Sequence, residues 1–444
     1  MKPKITNVTA ILALIASFFS ALFFANSATA APKIPLIKIS SSISIPDFSE
    51  VFDFARLQQG YIFAGTDMND KSVLAFVDEK GSQIWQINPL DNQEGFVTAL
   101  SITGNRIFIS GISQGAFQNL SSISATPEPT PSPTPSLTPS PTPSSSTAVT
   151  PAPIPMPSPT SPVAPIKKVP LVNPDNVVSG NEIKSREDLN NIFVAEIDFT
   201  GKVISVINTS NSKLLLPTSI AMNKDDIYLV GNEYPSDNST RGALYVFTNQ
   251  NFVASYTYGV ASTRFNRVFI QANKSLKIIG SSADPIADKK VVGKVDAVIL
   301  TISTTSRKIE KILRSSGTEA TRSWDSGSGN LVVAGTSQQN KLQESVITQF
   351  SPTGKVKWTT RYQNSNHAVI AGNCIALSLL GPTKNLPFTP TGPEIFIATI
   401  DGSGKVLKGV RVAKEEIIAL APTSNKGCAA LTYSPETGVR VSYL

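Results

Sequence analysis

The sequence has few of the residues on which catalytic and metal-binding chemistry most often depends. Its 444 residues include one histidine and two cysteines, and only 16% of them are charged. The single histidine, His367, excludes a site built from several imidazoles and leaves one candidate for Ser-His-acid chemistry. Calcium-loop spacing of acidic residues and the GxxxxGK[ST] and GxSxG motifs are absent. These absences predict no metal and no cofactor, and they disfavour an enzyme.

Concentrated positive charge is also lacking. The 39 Lys and Arg exceed the 32 Asp and Glu, which leaves a net charge of +7, but adjacent basic residues occur at only three places, 167–168, 289–290 and 307–308. Scattered charges without interleaved aromatic residues argue against a nucleic-acid surface. We therefore expect no nucleic-acid partner, and we expect a monomer.

The first thirty residues are typical of a secretory signal peptide. Two lysines precede an apolar stretch over residues 11–25, and Ala-Thr-Ala at 28–30 forms a small-residue cleavage site. An uncleaved anchor is the alternative, but the apolar stretch is interrupted by two serines and is shorter than the about 20 residues that span a bilayer. No later segment is apolar enough to span. We predict a secreted or cell-surface protein without a membrane anchor.

Cys374 and Cys428 each open an apolar run, and the two runs are predicted to be matching strands of neighbouring sheets. An exported protein is able to pair them. Packed sheets lie about 10 Å apart, however, and a disulfide requires Cα atoms within about 7 Å. This comparison favours two buried thiols over a disulfide.

A short apolar run ending in a small residue recurs along the chain, and it is the main structural signal. Its copies are YIFAGT at 61–66, IFISGI at 107–112, IYLVGN at 227–232, LKIIGS at 276–281, LVVAGT at 331–336, CIALSL at 374–379 and CAALTY at 428–433. Each run is followed by a second β-rich run, and strand-like segments lie before and after the pair. Four short antiparallel strands in about 45–55 residues form a propeller blade. The sequence therefore predicts an all-β, seven-bladed β-propeller of four-stranded antiparallel blades. The four strands of each blade are labelled a to d in chain order, and the recurring apolar run is strand b.

The seventh repeat ends at Leu444 with its third strand. We predict that residues 35–41 supply the missing fourth strand, because pairing the N terminus with the last blade removes an open sheet edge. The first strands of blades five and six are weak, so counts of six and eight blades stay open.

Two of the turns between strands c and d combine glycine with a following tryptophan. They are DEKGSQIW at 78–85 and SPTGKVKW at 351–358. In these segments the chain resembles the quinoprotein-like, PQQ-repeat propeller family. The resemblance implies that Trp85 and Trp358 dock neighbouring blades, whereas Ser205 and Lys408 depart from that pattern. The family's enzymes use a calcium-bound quinone and a paired-cysteine feature that find no match here, so the resemblance implies a non-enzymatic branch.

Half of the 32 prolines lie in a Pro/Ser/Thr-rich stretch between strands b and c of blade two. Such a stretch supplies few backbone donors and no core, which is typical of an extended, disordered segment and a plausible substrate for O-glycosylation. A passive loop is the alternative. The predicted organisation is a signal peptide over 1–30, propeller over 31–120, insertion over 121–185 and propeller over 186–444.

The long b–c connections, in blades two, four and six, emerge on the face where the central channel opens. Length variation on one face favours recognition of a partner there. Polar residues open the innermost strands at the same face, and we predict that they line the channel mouth as a ligand site: Asp53, Thr98, Thr218, Asn266, Arg322 and His367. The alternative is that these positions are polar because the channel is filled with water.

These patterns lead to a binding or scaffold propeller that engages a protein or glycan partner through its top-face loops. The alternative is an enzyme with its site at the channel mouth, such as a glycan lyase, a glycan hydrolase or a quinone-dependent oxidoreductase, since the propeller fold supports such chemistry. A surface spacer whose proline-rich arm matters more than its blades is a third hypothesis.

Overall fold

The structure, a computed structural model, describes residues 35–117 and 188–444, apart from residues 38, 40, 46, 47, 58, 92, 237, 272, 387, 391 and 424–426. The predicted signal peptide and the predicted insertion over 121–185 lie outside the described residues. Within the described part of the chain, the regular structure consists of 28 β-strands in seven four-stranded antiparallel sheets. The seven-bladed propeller is therefore confirmed.

The strands follow the chain order blade by blade, except that β1 (Ser41–Ile45) belongs to the last blade. Blade one contains β2 (Glu50–Leu57), β3 (Gly60–Thr66), β4 (Ser72–Asp78) and β5 (Gln83–Ile87). Blade two contains β6 (Gly95–Thr103), β7 (Arg106–Ser113), β8 (Asn191–Ile197) and β9 (Val203–Ser210). Blade three contains β10 (Leu214–Asn223), β11 (Asp226–Ser236), β12 (Ser239–Thr248) and β13 (Asn251–Tyr258).

The remaining four blades repeat this order. Blade four contains β14 (Thr263–Ile270), β15 (Ser275–Ser282), β16 (Asp296–Ser303) and β17 (Ile309–Ser315). Blade five contains β18 (Thr321–Gly327), β19 (Val332–Gln339), β20 (Leu342–Phe350) and β21 (Val356–Gln363). Blade six contains β22 (Ser365–Ala371), β23 (Cys374–Leu379), β24 (Glu394–Ile400) and β25 (Val406–Ala413), and blade seven contains β26 (Glu416–Pro422), β27 (Cys428–Ser434), β28 (Gly438–Tyr443) and β1.

The inner strands are apolar at nearly every position because both faces of each sheet are covered. In β3, Tyr61 and Phe63 pack in a core shared with blade seven, while Ile62 and Ala64 pack in a core shared with blade two. Seven such hydrophobic clusters occupy the seven seams between neighbouring blades. Since alternate strand residues point to opposite faces, the usual apolar–polar alternation gives way to continuous runs.

The ring is closed by β1, which pairs antiparallel with β28 from Ser41 opposite Tyr443 to Ile45 opposite Val439. Closure by the N terminus is thus confirmed, but the predicted segment, 35–41, was wrong. Residue 36 instead forms a parallel bridge with Gly409 of blade six, and the apolar side chains at 37 and 39 pack at the seam of blades six and seven. Both segments alternate apolar residues, so the pattern alone did not separate them.

The two cysteines form a disulfide, with their Cα atoms 5.7 Å apart. The expectation of two separate thiols was therefore wrong. Cys374 and Cys428 open strand b of blades six and seven, close to the hub. Blades arranged around an axis converge toward it, so strands next to the innermost ones lie closer together than the about 10 Å typical of packed sheets.

Tryptophan docking between blades is confirmed at both predicted positions. Trp85 Nε1 donates to the Phe199 carbonyl in the c–d turn of blade two at 2.8 Å, and Trp358 Nε1 donates to the Gly402 carbonyl of blade six at 3.0 Å. The glycine of each turn has a positive φ and lies under the indole ring. A Cβ built on Gly404 would approach the Trp358 ring to 2.6 Å.

This contact predicts that Gly404→Ala lowers the free energy of unfolding by about 2–4 kcal/mol, because the new methyl group strains the left-handed backbone and collides with the indole. The matched control is Gly402→Ala in the same turn, where a Cβ would meet nothing within 4 Å. We expect the control to change stability by less than about 0.5 kcal/mol. Urea unfolding of both variants measures the difference, and equal stabilities would contradict the docking role.

Candidate functional site

Strand a of every blade carries one residue, near its start, that has no partner on strand b. A bulge of this kind bends the strand and turns its side chain away from the ladder. The seven bulge residues are Phe52, Thr98, Thr218, Asn266, Asp325, Asn366 and Ile418. Three of the six residues predicted at the channel mouth, Thr98, Thr218 and Asn266, therefore share one position.

The other three predicted residues occupy different positions. Asp53 and His367 each follow the bulge residue of their strand, and Arg322 lies three residues before its bulge. Arg322 is buried, with its Nη1 2.7 Å from Ser315 Oγ and its guanidinium 4.6 Å from the ring centre of Trp324. Burial lowers the pKa of Arg322 to about 10. The six residues do not form a single ring.

The bulge residues of blades two to four connect each blade to the next one. Each donates a side-chain hydrogen bond to the backbone carbonyl that precedes the bulge in the following blade. The three bonds join Thr98 Oγ1 to the Pro217 carbonyl (2.8 Å), Thr218 Oγ1 to the Phe265 carbonyl (2.8 Å) and Asn266 Nδ2 to the Trp324 carbonyl (2.9 Å). Polar groups of the hub thus serve to fasten the blades.

Asp53 connects three blades at the hub. Its carboxylate accepts the amide of Phe54 at 3.0 Å and the amide of Leu100 in blade two at 2.8 Å. Arg267 reaches it from blade four, with 3.3 Å between Nη1 and Oδ1. Because blades one and four lie on opposite sides of a ring of seven, this ion pair crosses the channel. Arg267 was missed from the sequence, although it follows its bulge residue just as Asp53 does.

Asp325 and His367 are the titratable neighbours in this part of the hub. The Asp325 carboxylate accepts Ser323 Oγ at 2.5 Å and lies 3.3 Å from Asn266 Nδ2. Burial raises the pKa of Asp325, while the Ser323 hydroxyl and His367 act in the opposite direction. Burial also lowers the pKa of His367, and Asp325 opposes that shift.

The blade-four loop over residues 283–295 is held in place by its own acidic residues. Asp284 Oδ2 accepts three consecutive backbone amides, from Val260 to Ser262, at 2.8–3.1 Å. Asp296 pairs with Arg314 at 3.1 Å, and both side chains are almost completely buried. A buried, hydrogen-bonded ion pair requires good geometry, so these contacts specify one loop conformation.

The blade-six loop over residues 380–393 is anchored by aromatic and amide contacts. Phe388 packs edge-on against Phe396 of strand c at 5.1 Å, and the Arg411 guanidinium lies over the Phe388 ring at 4.5 Å. Asn385 Nδ2 donates to the Arg361 carbonyl at 2.9 Å. Both of these long loops are therefore built onto the blades beneath them.

Among residues 35–117 and 188–444, as far as they are described, no group of three His, Cys, Asp or Glu side chains is placed to hold a metal ion. In the same part of the chain, no helix has the length and apolar character needed to cross a membrane.

The sequence matches no protein-family model and no curated protein. Solved structures that are similar include a quinohemoprotein alcohol dehydrogenase from Comamonas testosteroni (8% identity, TM-score 0.45, 94% of this chain and 77% of that chain). The β-propeller domain of the Trilobed protease from Pyrococcus furiosus matches with 10% identity and a TM-score of 0.44 over 88% and 94% of the two chains. The WD40 domain of Toxoplasma gondii coronin matches with 7% identity and a TM-score of 0.44 over 93% of this chain and 87% of that chain. We draw no functional argument from similarities at this level.

The raised pKa of Asp325 predicts that Asp325→Asn stabilises the protein at neutral pH. An acid whose pKa is raised by folding stabilises the fold below its ordinary value of 3.8 and loses that contribution as pH rises. We expect the variant to melt about 1–3 °C above the wild type at pH 7, and the difference to vanish toward pH 4.

Asp401→Asn is the control of opposite sign, because hydrogen bonds from Ser403 and Lys405 lower the pKa of Asp401. It should lower the melting temperature at neutral pH, and this effect should decline as pH falls below about 3.8 and be lost below the lowered pKa of Asp401. Thermal melts of both variants from about pH 2 to 8 provide the measurement. A pH-independent difference for Asp325→Asn would show that burial of its charge does not govern stability.

Proposed function

We propose that this protein is an exported, non-enzymatic binding or scaffold module that engages a protein or glycan partner through the long loops of its top face. The observation that carries the proposal is that the described long loops, in blades four and six, leave the same face and are each fixed by built-in contacts. A loop that is ordered before binding loses less conformational entropy when it binds.

The polar groups of the channel support the same proposal. Thr98, Thr218 and Asn266 are engaged in bonds between blades, and Asp53 is occupied by two amides and by Arg267. Groups that hold the blades together are poorly placed to act on a substrate as well. Recognition is therefore assigned to the rim of the top face.

The disulfide supports an exported location. Disulfides persist in oxidising compartments and are rare in the cytosol. The Cys374–Cys428 bond is completely buried, and it joins the last two blades next to the point of ring closure. This is in keeping with the signal-like N terminus.

The test is affinity capture with residues 31–444 from an envelope extract, followed by direct titration of the identified partner. In the top-face variant, exposed loop side chains that make no anchoring contact are replaced by alanine: Lys289, Lys290, Val292, Leu380 and Lys384. We expect this variant to bind at least about ten-fold more weakly, a loss of about 1.4 kcal/mol.

The control variant carries the same type of change on the opposite face, where Lys202, Lys355 and Lys405 are exposed in the c–d turns. It should bind like the wild type. Equal binding by the top-face variant, or the absence of any specifically retained partner, would overturn the proposal.

One observation favours a second function, an enzyme at the channel mouth. Asp325 and His367 form an acid and a base whose pKa values are both shifted by burial, and such pairs are found at catalytic sites. A carboxyl and an imidazole are both suited to the proton transfers of general acid–base catalysis, and glycan cleavage is the reaction class tested. The test is to incubate the wild-type protein with acidic and neutral polysaccharides and to measure their degradation. If the wild type degrades them, Asp325→Asn and His367→Gln should each reduce turnover by about 100-fold or more. Unchanged turnover in both variants, or no turnover by the wild type, would reject this function.

A further inference from the structure

A cavity of about 260 Å³ opens at the seam between blades two and three, on the face that carries the a–b and c–d turns. We call it the seam pocket. Its walls come from β7 to β9 of blade two, and from β10, β11 and two turns of blade three. Its lining residues include Arg106, Phe108, Glu196, Ser205, Met222 and Ile227. The turn residues Asn249 and Gln250 form part of its exposed rim.

Beside this pocket, Ser205 occupies the strand d position that holds a tryptophan in blades one and five. Trp85 pairs with Phe76 and Trp358 pairs with Gln349, and in both cases the residue before the tryptophan is a bulge. Ser205 pairs with Glu196 in the same way, again directly after a bulge residue. Ser205 is thus at the strand position from which a tryptophan side chain would pack on the c–d turn of the next blade.

The seams of blades one and two and of blades five and six, which we call the filled seams, each contain a docking tryptophan. They show which group fits at the equivalent place between blades two and three. At the seam of blades one and two, the indole of Trp85 covers Gly201 and donates its N–H to the neighbouring turn. Trp358 does the same at the seam of blades five and six. The hydroxymethyl group of Ser205 is too short to reach across. The seam pocket therefore lies beside the position from which an indole ring would dock, and its volume of about 260 Å³ leaves room for a bicyclic aromatic ring.

The lining suits an aromatic ring that carries a hydrogen-bond donor. Phe108, Met222 and Ile227 supply apolar walls, and the Arg106 guanidinium carbon lies 4.7 Å from the centre of the Phe108 ring. Glu196 holds Arg106 in that position through two bonds of 2.7 and 2.8 Å. A fixed guanidinium plane offers a second stacking surface for an aromatic ring. Glu196 and the turn carbonyls are hydrogen-bond acceptors.

We propose that the seam pocket binds an indole ring supplied by another molecule, seated where the docking tryptophan lies at the filled seams. The site is distinct from the top face, since it opens on the opposite end of the propeller. The test of the seam pocket therefore does not depend on the outcome of the test of the top face.

The experiment titrates two probes into the mature protein and follows amide shifts by NMR: free indole, and N-acetyl-tryptophanamide as a peptide-linked indole. We expect saturable binding with shifts at Arg106, Ser205 and Met222. Binding of both probes assigns the pocket to a tryptophan side chain of a polypeptide. Binding of free indole alone assigns it to a small molecule. Absence of saturable binding of either probe overturns the proposal.

Ser205→Trp fills the pocket from within and should weaken binding by at least about ten-fold, while raising the melting temperature. Its matched control is Ile204→Trp, which adds the same ring at the exposed bulge residue next to it. The control should bind the probes like the wild type. Ser205→Leu provides a smaller filling group should Ser205→Trp fail to fold. Undiminished binding by a folded Ser205 variant would overturn the proposal.

Discussion

Every sheet in this protein depends on its two neighbours, because the inner strands are apolar on both faces. A single blade, or an open row of blades, would leave at least two such faces exposed to water, at a cost of about 25 cal/mol for each Å² of apolar surface. Only a closed ring covers all of them. The pairing of β1 with β28 is therefore the contact on which the other seams depend, although it involves only five residues of the N-terminal strand.

Closure also explains how the hub uses its polar residues. The innermost strands face water in the channel, and their bulges turn one side chain each out of the ladder. In blades two to four these side chains bond to the next blade, whereas Phe52 and Ile418, on either side of the closing seam, are apolar. The Asp53–Arg267 ion pair then connects opposite sides of the ring. The polar residues of the hub serve first to hold the blades together.

The sequence predicted the strands that belong to the repeat. It did not predict features that depend on a single contact outside the repeat. Seven copies of an apolar run identified strand b, and Trp85 and Trp358 identified the docking turns. The closing strand was misplaced because residues 35–41 and 41–45 alternate similarly. The disulfide was missed because convergence of blades toward the axis is a property of the whole ring. The six residues predicted at the channel mouth occupy different strand positions. A bulge shifts the register by one residue, so Asp53 and Thr98 looked equivalent in the sequence and Arg267 was overlooked.

In a repeated fold, equivalent positions of different blades can be compared with one another. Residues that depart from the repeat are then the most informative. Trp85, Lys311 and Trp358 hold equivalent positions on strand d, and each donates a hydrogen bond to the next c–d turn. The lysine shows that a donor other than an indole makes the same bond. Ser205 supplies neither a ring nor a bond across the seam of blades two and three. The open position beside Ser205, walled by the Arg106–Glu196 pair, is the feature on which the proposed indole site rests.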